Sequence, residues 1–189
     1  MPLFETVALI FFGSHIPITL FVDGQALLPS YLYSWGPSSM LQWYASWSKD
    51  ILMTPGKHPL WFQSIIFFEL VLQVPFFFWA LHVLFSPPST KEPKLFRPVA
   101  IAYGAHTATT LIPILATFLH YQEKGFTEFH RWQLVLIYLP YLLVPLAVCW
   151  RGAVSDVVFV RKTIESRIIS EGKKKRRTSA KNGLSDSRM

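Results

Sequence analysis

Apolar residues along this chain gather into four long runs, about Leu3 to Leu28, Trp61 to Phe85, Pro98 to Leu119 and Trp132 to Trp150. Each approaches the ~20 residues that carry an α-helix across the hydrocarbon core of a bilayer. The polar residues within the runs are not scattered. His15, Thr19 and Asp23 step by four along the first run, and Glu69 and Gln73 are four apart in the second, so each set lies on one helical face. The pattern predicts an all-α membrane protein, a four-transmembrane-helix bundle whose two polar stripes face each other. Proline interrupts every run, at Pro17, Pro75, Pro113, and Pro140 with Pro145. In water that would argue against long helices. In a membrane, neighbouring helices and Ser/Thr side chains satisfy the carbonyls freed at each kink, and the kinks open space between the spans.

Composition agrees with this picture. The chain is 51% hydrophobic and 15% charged, against about 25% charged residues in soluble domains. The first run lacks a basic leader and a small-residue cleavage site and carries Glu5 near its start, so it is expected to be a retained span rather than a signal peptide. Cys149 is the only cysteine, which excludes an intrachain disulfide. Of the 18 Lys and Arg residues, 11 lie from Arg151 onward, and the loop after the second run adds Lys91, Lys94 and Arg97. Positive residues stay cytoplasmic, so that loop, the tail and, with four spans, the N-terminus are assigned to the cytoplasmic side. The chain divides into a membrane domain, residues 1–158, and a basic tail, residues 159–189. The tail's composition fits a disordered segment that sets topology or is drawn to anionic lipid, not a nucleic-acid binder.

The first loop, Gln25 to Pro59, is rich in aromatic residues: Tyr31, Tyr33, Trp35, Trp43, Tyr44 and Trp47. Such residues form belts at the headgroup level. Met40 to Trp47 also carries a helical stripe of Met40, Trp43, Tyr44 and Trp47 that could fold inward as a lid.

Asp23 and Glu69 are the candidate chemistry. An acid at membrane depth costs roughly 3 kcal/mol on the mildest scale, so it is paired, protonated or turned toward a cavity. Two such acids close together would share one proton. The pair would suit a cationic amine, or a donating hydroxyl, on an otherwise apolar ligand. The threonines and His82 are assigned to interhelical hydrogen bonding. No His/Cys/acid cluster with ligand spacing appears along the sequence, and no P-loop, GxSxG or GxGxxG pattern, so neither a metal nor a cofactor is expected.

The string Ser14-His15-Ile16-Pro17-Ile18-Thr19-Leu20-Phe21, with Asp23 and Gln25-Ala26-Leu27-Leu28-Pro29, resembles the first span of the sigma-2 receptor (transmembrane protein 97) family. Trp43-Tyr44, Glu69-Leu70-Val71 with Gln73 and Pro75-Phe76-Phe77, His106-Thr107 with Thr109 to Leu115, and Tyr138, Pro140 to Leu143 and Pro145 extend the likeness over about residues 3 to 150. That family belongs to the EXPERA group, with the emopamil-binding sterol isomerases. The resemblance implies an endoplasmic reticulum membrane protein, often a homodimer, whose pocket accepts sterols and lipophilic amines. It further implies a role in sterol homeostasis and association with a Niemann-Pick-type cholesterol transporter. Residue by residue, it makes Asp23 the partner of a ligand amine and Glu69 its support, with His15, Tyr44, Gln73, Tyr103, Thr110, Tyr138 and Tyr141 around the same pocket.

The alternative is a sterol Δ8-Δ7 isomerase. Such an enzyme needs an acid to protonate the alkene and a base to remove a proton elsewhere. The isomerases resemble one another in a histidine and glutamate one turn apart on the second span and a glutamate on the third. Here Ile65 and Gln73 flank Glu69 and the third span has no carboxylate, so a non-catalytic binding protein is expected.

Overall fold

A computed structural model describes residues 2–160 apart from 57, 88 and 89. Helix α1 spans Leu3–Phe21 and runs into a 3-10 turn, Asp23–Ala26; a second 3-10 turn, Ser30–Tyr33, leads to α2, Pro37–Ser48. The second long helix is composite: α3 (Leu60–Phe68), a π-helical turn (Glu69–Gln73) and α4 (Val74–Phe85). Helices α5 (Phe96–His120) and α6 (Glu128–Val154) complete the bundle. The expected short helix at Met40–Trp47 thus lies within α2. The segments Leu3–Ala26, Leu60–Phe85, Phe96–His120 and Glu128–Val154 are long and apolar enough to cross a membrane, and the protein is a multi-pass membrane protein.

The π turn has a local cause. Pro75 supplies no N–H, so regular i to i−4 bonding fails there. One residue earlier, the Val74 N–H reaches back five residues to the Glu69 carbonyl. Such single-turn π bulges re-aim side chains within an otherwise α-helical span. Glu69 and Gln73, the two ends of the bulge, are both buried.

Helices α5 and α6 form the most extensive pair, and α1 packs mainly on α4. The α5–α6 approach depends on Gly104. A Cβ there would lie 2.3 Å from the Pro145 carbonyl oxygen and 2.7 Å from the Cys149 Cβ. Small residues at such crossings let helix backbones touch, which substitutes for the missing hydrophobic force between helices in lipid.

Two apolar clusters fill the bundle. One joins Ala8, Phe12, Phe76, Phe77, Phe96, Tyr103 and Val148; the other joins Ala26, Leu41, Leu52, Met53, Phe62, Ile66, Ile114, Phe118 and Leu134. His15 and Thr19, Glu69 and Gln73, and Thr107 are buried polar residues on three of the spans. On the second span Glu69 and Gln73 fall between Ile66 of one cluster and Val74 of the other. On α5 Thr107 falls likewise between Tyr103 and Ile114. The result is a polar layer between two apolar ones.

Packing continues past the end of α6. Val158 and Phe159 are buried in the first cluster, where Phe159 meets Phe4, Phe12 and Phe96. Two carboxylates hold this strap by its backbone. Glu92 accepts from the Val158 and Phe159 N–H groups at 3.1 and 3.3 Å, and Glu5 accepts from Val160 at 2.8 Å. Arg151 lies 3.4 Å from Glu5, the counter-charge that a fully buried carboxylate requires. The packed part of the chain therefore runs through Val160, slightly beyond the boundary drawn from sequence at residue 158. The expected disordered tail lies outside the described residues, apart from Phe159 and Val160.

Gly104→Ala is expected to lower thermal stability in detergent by about 1–3 kcal/mol, the usual cost of an overpacked contact that backbone must relieve. Gly13→Ala, where a Cβ would meet nothing within 4 Å, should leave the melting temperature unchanged or higher. Equal melting temperatures for Gly104→Ala and the unaltered protein would contradict this packing.

Candidate functional site: a carboxylate-lined cavity

The polar layer borders a half-open cavity of about 240 Å³. Its wall takes His15, Val22 and Asp23 from the first span, Met40, Trp43 and Tyr44 from α2, and Phe62, Ile66, Glu69 and Gln73 from the second span. Thr107, Thr110 and Ile114 of α5, with Tyr138 and Tyr141 of α6, close it. Eight of the nine residues expected from sequence are therefore together. Tyr103 is not among them. It stacks on Phe76 at 4.3 Å between ring centroids and meets Phe12 and Phe77, inside the apolar cluster below the cavity. One helical turn of α5 separates it from Thr107, which does reach the wall, so a side chain on the right face misses the cavity by depth.

Glu69 is buried and already has partners. Thr19 Oγ1 donates to its Oε1 at 2.7 Å, and His15 Nε2 lies 3.1 Å from the same oxygen. The His15 ring is held by stacking on Phe77 and by edge contacts with Phe11 and Tyr141. Asp23 is different. It opens the 3-10 turn at the end of α1, is half-buried, and accepts no hydrogen bond from any described residue. Carboxylate oxygens of Asp23 and Glu69 and a ring nitrogen of His15 all lie within 4.8 Å of one another. Two carboxylates this close, in apolar surroundings, require a proton or a cation between them. The His–acid cluster was invisible to linear spacing because its members come from two spans and meet only through helix packing.

Farther along the wall, Gln73 accepts from Thr107 Oγ1 at 3.1 Å through its carbonyl oxygen, which leaves its amide N–H groups for other acceptors. Thr110 instead donates to the Thr107 carbonyl at 2.9 Å. Helix α2 lies over the cavity: Met40, Trp43 and Tyr44 line it, while Trp47 stacks on Trp43 at 6.0 Å and both rings remain exposed. The stripe expected to fold inward thus does so in part, at Met40, Trp43 and Tyr44.

Asp50 is the residue that sequence reasoning missed. It is fully buried just after α2, where Lys49 takes a left-handed conformation (φ 57°) and turns the chain inward. Its Oδ2 accepts from Tyr44 and Tyr138 hydroxyls at 2.9 and 2.8 Å, and its Oδ1 from the Leu52 and Met53 N–H groups at 2.9 and 3.2 Å. Burial raises its pKa from the ordinary carboxylate range, and the tyrosine and backbone donors offset only part of that shift. Burial, followed by the Asp50 charge, pushes the Tyr44 hydroxyl up as well. Asp50 thus fastens two cavity-lining tyrosines, one from the lid helix and one from α6. The available signal was composition: it is the only acid in the loop Gln25 to Pro59.

Fold and site together define a polytopic helical membrane protein with an internal, carboxylate-bearing cavity. The chain belongs to the EXPERA family, described as the EXPanded EBP superfamily, whose sequence model matches residues 37–152. It is 45% identical over 145 residues to sigma intracellular receptor 2 of Homo sapiens, covering 72% of this chain and 79% of that one. It is 41% identical over 149 residues to the protein of the same name from Xenopus tropicalis, covering 76% and 84%. A more distant relative, efficient mitochondria targeting-associated protein 19 of Schizosaccharomyces pombe, is 32% identical over 147 residues, covering 75% and 70%. These findings bear out the family read from the sequence. The chain groups with proteins named as receptors.

The raised Asp50 pKa has a sign that can be tested. A folded-state pKa above the unfolded value means that the native state binds more protons between the two, so stability is full below about pH 4 and falls as pH rises through the folded value. Asp50→Asn should remove that part of the slope, while Asp50→Ala, which orphans two hydroxyls and two N–H groups, should melt lower at every pH. Parallel melting-temperature profiles for Asp50→Asn and the unaltered protein would contradict the assignment.

Proposed function

We propose that this protein is an intramembrane receptor for sterols and lipophilic cationic amines. Asp23 is the ion-pair partner of the amine, and Glu69, held by His15 and Thr19, is the second acid beside it. The observation that carries this reading is the Asp23 carboxylate at the wall of an apolar cavity, with Glu69 within 4.8 Å and no donor of its own among the described residues. An ammonium group supplies the missing positive charge, and the aromatic walls receive its hydrocarbon part. Small-molecule pockets span roughly 300–1,000 Å³. The enclosed space here is below that range, and its open side accommodates the remainder of a sterol-sized molecule.

The remaining cavity residues have matching roles. Gln73 offers amide donors to a ligand hydroxyl or carbonyl, while Tyr44, Tyr138 and Tyr141 with Thr110 shape the wall. The protein acts in sterol homeostasis and intracellular cholesterol trafficking from the endoplasmic reticulum membrane, as a homodimer and with a Niemann-Pick-type cholesterol transporter as partner. Lys91, Lys94, Arg97 and Arg151 support a topology with both termini cytoplasmic, since they border one end of the bundle.

Equilibrium binding of a labelled lipophilic tertiary amine to purified protein tests this reading. A charge-assisted hydrogen bond contributes about 1.5–3 kcal/mol, so Asp23→Asn should weaken binding by tenfold or more on the scale where 1.4 kcal/mol is about tenfold. A neutral sterol should lose far less. Unchanged amine affinity in Asp23→Asn would overturn the assignment.

A further inference from the structure

We infer that His15, Asp23 and Glu69 form a binding site for a divalent first-row transition cation at the cavity wall. The site is separate in chemistry from the amine reading and does not depend on it, although both use Asp23 and Glu69.

The donor set has the right composition. An imidazole nitrogen and two carboxylate oxygens are ordinary ligands of Zn²⁺ and of Mn²⁺ or Fe²⁺, and a three-residue set leaves coordination positions for water or a guest. All three residues line the cavity, so those positions open into it. The geometry is close to what an ion requires. Donors about 2.0–2.2 Å from a tetrahedral ion sit roughly 3.3–3.6 Å apart. His15 Nε2 and Glu69 Oε1 are 3.1 Å apart, and the ligating atoms of all three residues lie within 4.8 Å of one another. Small rotations of the half-buried Asp23 side chain close the remaining gap, because no hydrogen bond among the described residues restrains it.

Charge supplies the driving force. A divalent cation cancels both carboxylates at once, where a single ammonium or a shared proton cancels one. Orientation is provided too: Thr19 Oγ1 donates to Glu69 Oε1, the type of outer contact that fixes a ligating carboxylate. His15 is only 4% exposed, and its Nε2, the ring nitrogen beside Glu69, is the one that would hold the ion. The linear sequence concealed the site because His15 and Asp23 stand eight residues apart on one span and Glu69 on another.

The test is a titration of the detergent-purified full chain, stripped of metal with chelator, with zinc alone. The readouts are calorimetric stoichiometry and the zinc X-ray absorption spectrum. One zinc per chain is expected, with one nitrogen and the remainder oxygen ligands, and with bound labelled amine displaced as zinc rises. His15→Gln and Asp23→Asn should each weaken zinc binding by at least about tenfold, with melting temperatures reported for both. Asp23→Asn is the safer variant because Asp23 accepts no hydrogen bond from any described residue. The other histidines, His58, His82, His106, His120 and His130, remain in both variants, so undiminished zinc affinity in either would assign the metal to them and overturn the inference. Absence of saturable zinc uptake by the unaltered protein, or a spectrum lacking nitrogen ligation, would also overturn it. Zinc binding without amine binding would instead sink the receptor reading and leave this site standing.

Discussion

A carboxylate inside an apolar bundle must be given partners or a counter-charge, and at Glu69 that requirement locks the first two spans together. Thr19 and His15 approach it from α1, one turn apart, and their shared acceptor oxygen sets the register of α1 against the second span. Removing a partner from a buried charge costs about 3–5 kcal/mol, far more than an ordinary packing contact. The π turn belongs to the same constraint. With Pro75 unable to bond, the helix bulges between Glu69 and Gln73, and both side chains end up buried and facing the cavity.

Two other buried acids, Glu5 and Asp50, and the half-buried Glu92 follow the same rule with different partners. Glu5 takes Arg151 and the Val160 N–H. Glu92 takes the strap backbone at Val158 and Phe159. Asp50 takes two tyrosines and two backbone donors. Asp23 alone of the acids in the polar layer is left without a described donor, which is why it is the group a ligand would meet. Glu5, Glu92 and Asp50 each hold protein donors, and Asp23 holds none among the described residues.

Most of the architecture was legible along the chain because a membrane span declares itself by length and apolarity. Proline did not obscure the helices, since only the lipid-specific reading of proline applied. The stripes His15–Thr19–Asp23 and Glu69–Gln73 were legible because helical periodicity puts them on one face, and facing stripes then had to meet. Depth was harder to read. Tyr103 and Thr107 are neighbours on one face of α5, yet one packs among phenylalanines and the other touches the cavity. Periodicity gives a direction around a helix, and only the kinks and the π turn decide the level along it. Asp50 escaped for a related reason. Its role arises from a left-handed turn at Lys49 and from Tyr138, 88 residues away, neither of which has a local pattern. The strap at Val158 and Phe159 was hidden by its place at the start of a strongly basic tail.

A charged acid facing an apolar cavity is the centre of this account, and the charge on the guest is what it claims to recognise. The most direct measurement compares two ligands on the unaltered protein: a lipophilic tertiary amine and its neutral carbon isostere of the same shape. Both gain the same apolar burial, so the difference isolates the ion pair. The account predicts at least about tenfold tighter binding of the amine, equivalent to about 1.4 kcal/mol. Equal affinities would show that the cavity selects shape alone and would contradict it.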